Sequence, residues 1–274
     1  SVMVTATGSG SSRWGEHTVT RWQGDPTEDR LGSYIFLRDV ATNEWWSATT
    51  EPKQAPGEVC QTHFSDDKAT FVKTVGSLRS EVECIVVSEG NGEARRVTIF
   101  NDGPSDRMIE VTSFAELVLA PEASDNAHPA FSKMFVETEV GPDRNIIFAE
   151  RRKRASGDAD VAAAHFVTDP TGVREAEAET DRRASIGRGR TIAEPAAFDP
   201  DARLAGNHGF TLDPVISLRR RVSASSFWRG SIALSDDAQP ATSAPKSANA
   251  RSPLFTPAGS CSRLAVTASA ASAT

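Results

Sequence analysis

The densest gathering of chemically capable side chains lies between Trp14 and Trp46, where Trp14, Trp22, Trp45, Trp46 and the only tyrosine, Tyr34, are interleaved with Arg21, Arg38 and Asp39. Sugars are held by stacking their C–H faces on aromatic rings and by hydrogen-bonding their hydroxyls to planar polar groups, so this mixture suits a carbohydrate surface. The same rings also suit a core, since buried aromatics pack cores whatever the function. Alternation along a strand sends one indole of Trp45-Trp46 inward and the other outward, which leaves at most one for a ligand. His128 precedes Pro129, so its backbone is held extended and its imidazole either meets a ligand or closes a turn. A strand over Val136-Glu137-Thr138-Glu139 would project Glu137 and Glu139 from one face. That spacing is open to acid/base work but more usual for a solvated face, because glycosidase carboxylates face each other across a cleft.

Four basic clusters follow: Arg151-Arg152-Lys153-Arg154, Asp181-Arg182-Arg183, Gly187-Arg188-Gly189-Arg190 and Arg219-Arg220-Arg221. With a net charge of −7 and no aromatic residues among these arginines, nucleic acid is not the expected partner. Salt bridges to an acidic partner surface or to carboxylates of the same chain are expected instead. No Gly-x-Ser-x-Gly, His-Glu-x-x-His or paired Cys-x-x-Cys occurs, and the glycines at 187 and 189 lack the Lys and spacing of a phosphate loop. No catalytic residue, metal ligand or cofactor is therefore assigned.

The elements that must position these side chains read as short strands: Tyr34–Asp39, Glu44–Thr49, Glu58–Phe64, Ala69–Val75, Ser80–Val87, Glu93–Asn101, Met108–Leu119 and Asn145–Arg151. Their spacing, with turn residues between them, predicts an antiparallel sandwich. Val82, Cys84 and Val86 alternate with Glu81 and Glu83, and Ile109, Val111, Leu117 and Leu119 share one phase. Ser88-Glu89-Gly90-Asn91-Gly92 and Asn101-Asp102-Gly103-Pro104 are hairpin connections. Pro121 to Pro129 reads as a long polar connection, and Arg151 to Asp201 as a charged excursion from the sheet framework. The ordered part is expected to end near Val222. From Ser231 to Thr274 the chain is rich in Ala, Ser, Thr and Pro, a composition that buries too little apolar surface to offset the entropy of ordering it. The expected organisation is an N-terminal extension over 1–12, a sandwich over 13–230, and a disordered low-complexity tail over 231–274.

At 274 residues the chain allows one large domain or two small ones, and an all-β sandwich can use the whole length. A 38% hydrophobic and 24% charged composition excludes collagen-like and coiled-coil classes. No stretch approaches the ~20 apolar residues that span a bilayer, so no direct membrane contact is expected. Cys60, Cys84 and Cys261 are too few and too scattered for a disulfide framework and suggest a reducing compartment.

Arg21-Trp22 with Asp25 and Asp29, then Gly32 to Asp39 and Trp46-Ser47, resemble the opening of the sugar-binding sandwich of cyclic β-1,2-glucan synthases. The resemblance continues through Glu110 to Glu116, Asp125, Ala127 to Lys133, Phe135 to Glu139, Arg151-Arg152, Thr180 to Arg182, Ile186 to Arg190 and Leu212 to Pro214. It implies the supersandwich, a galactose-mutarotase-like all-β fold, of glycoside hydrolase family 94, formerly glycosyltransferase family 36. Such a segment would be cytoplasmic, within a bacterial inner-membrane enzyme that polymerises glucose and cyclises the chain. It would pack on a catalytic (α/α)6 barrel that carries the general acid, and its other partner would be β-1,2-glucan. Trp22, Tyr34, Arg38, Trp45, Trp46 and His128 are then the expected glycan contacts. Arg151, Arg152, Arg182, Arg188 and Arg190 are the expected domain-interface residues. The barrel does not follow here, the sequence after Val222 resembles nothing in the family, and Arg183-Ala184-Ser185 stands where an aromatic is expected. A frameshifted or shortened reading frame would give that junction. A stand-alone carbohydrate-binding module, and a truncated product without function of its own, are the competing readings.

Overall fold

The computed structural model describes residues 1–23, 32–87, 91–168, 176–226, 229–232 and 264–271. In chain order the first strands are β1 (Val2–Val4), β2 (Gly10–Trp14), β3 (His17–Thr20), β4 (Tyr34–Asp39), β5 (Trp45–Ser47), β6 (Val59–Phe64), β7 (Lys68–Val75), β8 (Leu78–Val86), β9 (Glu93–Asn101) and β10 (Arg107–Pro121). Two short helices, α1 (Glu122–Ala127) and α2 (Pro129–Lys133), lead into β11 (Val136–Val140), β12 (Ile146–Arg151), β13 (Val161–Thr168) and β14 (Glu177–Asp181). The helix α3 (Arg182–Ser185) and a 3-10 turn at Ala196–Phe198 precede β15 (Gly209–Phe210), β16 (Pro214–Ala224), β17 (Arg229–Ile232) and β18 (Leu264–Ala271).

The strands form two antiparallel sheets, as the alternating apolar pattern predicts. The first runs β1-β2-β3-β10-β16-β14, with β4 also on β10 and β5 on β4; the second runs β15-β11-β12-β13-β18-β9-β8-β7-β6, with β17 on β9. Strand β10 is the spine of the first sheet. One edge pairs with β16, and the other pairs first with β4 over Ile109–Phe114 and then with β3 from Leu117. A register shift between Leu117 and Ala120, where buried Leu119 takes φ +52°, ends the regular ladder and turns the chain into α1.

The main core lies between the sheets and holds Ile35, Leu37, Trp46, Phe71, Val82, Val97, Ile109, Val111, Leu117, Ile147 and Ile216. Because side chains alternate, the other face of the first sheet presents Tyr34, Phe36, Phe114 and Val215, and these form a second core with Ile186, Ile192, Phe198 and Leu204. Of the segment expected as a charged excursion from the sheets, residues 186–198 cover that face, whereas β13 and β14 are paired strands of the second and first sheets, a correction to that expectation. Val82 and Cys84 are buried as their phase requires, whereas Val86, at the strand end, is 56% exposed.

The polar connection after Pro121 is helical in α1 and α2. Residues 1–12, expected as an extension, place β1 and the start of β2 on the first sheet. Their turn requires glycine: Gly8 has φ +96°, and a Cβ there would stand 2.1 Å from Thr49 Cβ. Strand backbone continues past Val222 through β16 and β17, and β18 lies between β13 and β9. The rest of the expected tail lies outside the described residues, as do Asp25, Asp29 and the Ser88–Gly90 part of one hairpin connection.

Candidate functional site

A cleft of about 900 Å³ opens where β2, β3 and β10 of the first sheet meet the α1–α2 segment and the segments beginning at Arg182 and Asp213. Its organising residue is Glu116, which β10 holds 5% exposed. Arg21 continues from β3 and is pinned to the same strand by its backbone N–H, which donates to the Glu116 carbonyl at 2.8 Å. Its guanidinium donates from Nη1 to Glu116 Oε2 at 3.2 Å, and from Nε and Nη2 to the Asp125 carboxylate at 3.1 and 2.7 Å. Asp125 is the buried residue of α1, so this paired contact ties the helix to the sheet. From the far side Arg182 Nε donates to Glu116 Oε1 at 2.6 Å. Lys133, at the end of α2, pairs with Asp213 and stands 3.9 Å from Glu116.

Trp22 sits on this cleft with 38% of its surface exposed, next to Gln23 and Asn126. An accessible indole beside guanidiniums, carboxylates and amides offers what a polyhydroxylated ring needs: an apolar face and hydrogen-bonding groups of both polarities. Glu116 and Asp125 are ion-paired and hold their positions as structural acceptors.

The residues expected to share a sugar surface are dispersed. Trp22 lines the cleft. Tyr34 is 2% exposed in the second core, a correction to its expected role as a contact. Arg38 is likewise buried, with Nε donating to Glu110 at 2.6 Å. The Trp45-Trp46 pair splits across the sheet as alternation requires. Trp46 is in the main core, and Trp45 stacks on Phe198 at 4.5 Å between ring centroids with Lys53 over its ring. Neither indole reaches the cleft. His128 is exposed at the junction of α1 and α2, outside the cleft lining, where its carbonyl accepts from the Ser132 N–H. Glu137 and Glu139 lie on the solvent side of buried Thr138, with Glu137 in register with Glu150, so no cleft separates two facing carboxylates there.

The expected interface arginines also divide. Arg182 belongs to the cleft. Arg151 donates to the Ser132 carbonyl at 2.9 Å, and Arg190 pairs with Asp199 at 2.7 Å, so both act within the chain. Arg188 is exposed. Arg152 lies over exposed Phe210 at 4.4 Å and Arg154 over exposed Phe131 at 5.0 Å, and these two pairs make a cationic, aromatic ledge. The basic run Arg219-Arg220-Arg221 is structural. Arg219, 1% exposed, donates to the Ala197 and Ala202 carbonyls at 2.6 and 3.0 Å and lies near Glu110 and Glu177. Burial pulls its guanidinium down to about 10 against the pull of Glu110. Burial works to raise the Glu110 carboxyl, but Arg219, Arg221 and Arg38 outweigh it and hold the group below its ordinary value. This sealed cluster straps the segment over the second core onto the sheet.

Among the described residues no group of three or more His, Cys, Asp or Glu is arranged to hold a metal, and no helix is long and apolar enough to cross a membrane. Periodicity did not single out Arg21, Glu116, Asp125, Lys133 or Asp213 as a site. They come from five separate places in the chain, and the signal that reached them was the resemblance, whose segments contain every one.

A family model described as the supersandwich domain of glycosyl hydrolase 94 matches residues 1–226. The cyclic β-(1,2)-glucan synthase NdvB of Rhizobium meliloti (strain 1021) is 59% identical over 223 residues, which is 81% of this chain and 8% of that protein. The chain thus spans a small part of the length of this curated relative. Among solved structures, a polysaccharide lyase aligns with 100% of the chain and 32% of its own at a TM-score of 0.39 and 10% identity, a likeness too slight to carry an argument.

Proposed function

The chain belongs to the glycosyl hydrolase 94 supersandwich family, and from that premise we propose that it is the non-catalytic, sugar-binding sandwich segment of a cyclic β-1,2-glucan synthase or related phosphorylase. In this reading it works in carbohydrate metabolism, with β-glucan meeting it at the cleft beside Trp22. The observation that carries the reading is the accessible indole set among fixed guanidiniums, carboxylates and amides. The ledge of Arg152, Arg154, Phe131 and Phe210 supports a second part of the proposal, that the sandwich packs on the catalytic barrel of a larger, inner-membrane-associated enzyme on the cytoplasmic side. Aromatic residues and arginines are enriched where protein surfaces meet.

Titration of the chain with β-1,2-gluco-oligosaccharides, followed by tryptophan emission, tests the glycan reading. An open cleft that covers only one side of a ligand should bind at about 1 mM, near −4 kcal/mol. Trp22→Ala should abolish the response, while cello-oligosaccharides serve as the linkage control. A flat titration in the unaltered chain, or an unchanged affinity in Trp22→Ala, would remove the cleft as the glycan site.

A further inference from the structure

Arg21, Lys133 and Arg182 bring three cations to one cleft, the set a phosphate-bearing ligand would seek. Each is already matched. Arg21 spends Nε and Nη2 on Asp125 and Nη1 on Glu116, Arg182 spends Nε on Glu116, and Lys133 pairs with Asp213. Even at the rim, Arg13 is paired with Glu122 at 2.7 Å. The carboxylates are not loose counter-ions, since Glu116 is fixed on β10 and Asp125 is buried on α1.

We propose that this cleft is charge-matched to select an uncharged glucan segment and to reject phosphate-bearing sugars. The proposal rests on the reading of the cleft as a glycan site and adds which glycans it admits. An entering phosphate meets cations whose charge is already matched by carboxylates, so whatever N–H groups it reaches it also faces Glu116, Asp125 and Asp213 at close range. A hydroxyl meets no such conflict. It donates to a carboxylate lone pair and accepts from N–H groups that remain, including the terminal nitrogens of Arg182, which make no hydrogen bond among the described residues, and the amides of Gln23 and Asn126. Trp22 adds an apolar face that a sugar ring can cover and inorganic phosphate cannot use.

The carboxylates are therefore the selectivity elements, and removing one charge should convert the cleft toward anions. Calorimetric titration of the unaltered chain, Asp125→Asn and Asp213→Asn would use a β-1,2-gluco-oligosaccharide, inorganic phosphate and glucose 1-phosphate as probes, with circular dichroism confirming each fold. The unaltered chain should bind the oligosaccharide, and phosphate should leave that binding unchanged. Each Asn variant should gain phosphate affinity by about tenfold or more, the worth of one freed charge-assisted hydrogen-bonding group. Asp213→Asn, which leaves the tie between α1 and the sheet intact, decides the matter where Asp125→Asn fails to fold. An oligosaccharide response that phosphate abolishes in the unaltered chain, or no gain in folded Asn variants, would overturn the charge-matching and leave the glycan reading standing. No oligosaccharide response at all would overturn both.

Discussion

Glu110 and Glu116 lie on one face of the same strand and receive arginines from different segments, yet they do different work. Glu110 is 1% exposed and pairs with buried Arg38 and Arg219 and with half-buried Arg221, so removing its charge takes the carboxylate from buried Arg38 and leaves Arg219 to Glu177 and its carbonyl acceptors. Glu110→Gln should lower the unfolding free energy by about 3–5 kcal/mol, read by urea denaturation near neutral pH. The pH dependence has a definite sign. A carboxyl held below its ordinary value contributes stability above the unfolded pKa of about 4.3, and that contribution is lost as pH falls through the lower folded value. The gap between the unaltered chain and Glu110→Gln should therefore narrow on acidification below the unfolded value; a gap that does not narrow at all would sink the assignment. Nothing in the spacing of the sequence distinguished these two glutamates. Tyr34 and Arg38 read as ligand-facing because exposed planar donors beside aromatics bind sugars, but a sheet buried on both faces turns the same residues into core and ion pair.

At the level of elements, the N-terminal hairpin tests whether β1 and β2 belong to the sandwich. Gly8→Ala forces a side chain into Thr49 at a positive φ, whereas Gly15→Ala, also at positive φ, meets open space. The first should cost about 2–3 kcal/mol or more and the second about 1 kcal/mol, measured as midpoint shifts in thermal or urea unfolding. Equal effects would mean that the hairpin does not pack as described. The second sheet was readable at β7 and β8 because they have the plain alternation of one buried and one wetter face, with Phe71 and Val82 inside and Glu81 and Glu83 partly exposed. The first sheet was only partly readable. Strand β16 carries Arg219-Arg220-Arg221 and β14 carries Glu177 and Glu179, so charges that satisfy one another indoors look from sequence like solvated loops. Ion pairing replaced hydrophobicity as the mark of burial, and a rule based on apolar period cannot see it.

For the whole molecule, the expected outcome is that the isolated chain neither phosphorolyses nor hydrolyses β-1,2-glucan, assayed by release of glucose 1-phosphate or reducing ends. Such chemistry needs an acid poised over the glycosidic oxygen, and Glu137 and Glu139 lie on a solvated face. Turnover abolished by Glu137→Gln or Glu139→Gln would reverse this. The sandwich class was legible because many short alternating segments leave few other architectures, while the cleft was not, because Arg21, Glu116, Asp125, Lys133, Arg182 and Asp213 meet only after the chain has folded. The spine strand β10 joins the two scales. Its odd-numbered residues Ile109, Val111, Ala115, Leu117 and Leu119 fill the main core, while Glu110, Phe114 and Glu116 serve the opposite face. Loss of a single codon anywhere in that stretch would exchange the two sets for the remainder of the strand, burying carboxylates in the apolar layer and stranding leucines among arginines. The gene should therefore admit almost no change in length there in the course of evolution, whereas codons for the exposed turn at 156–160 are free to come and go.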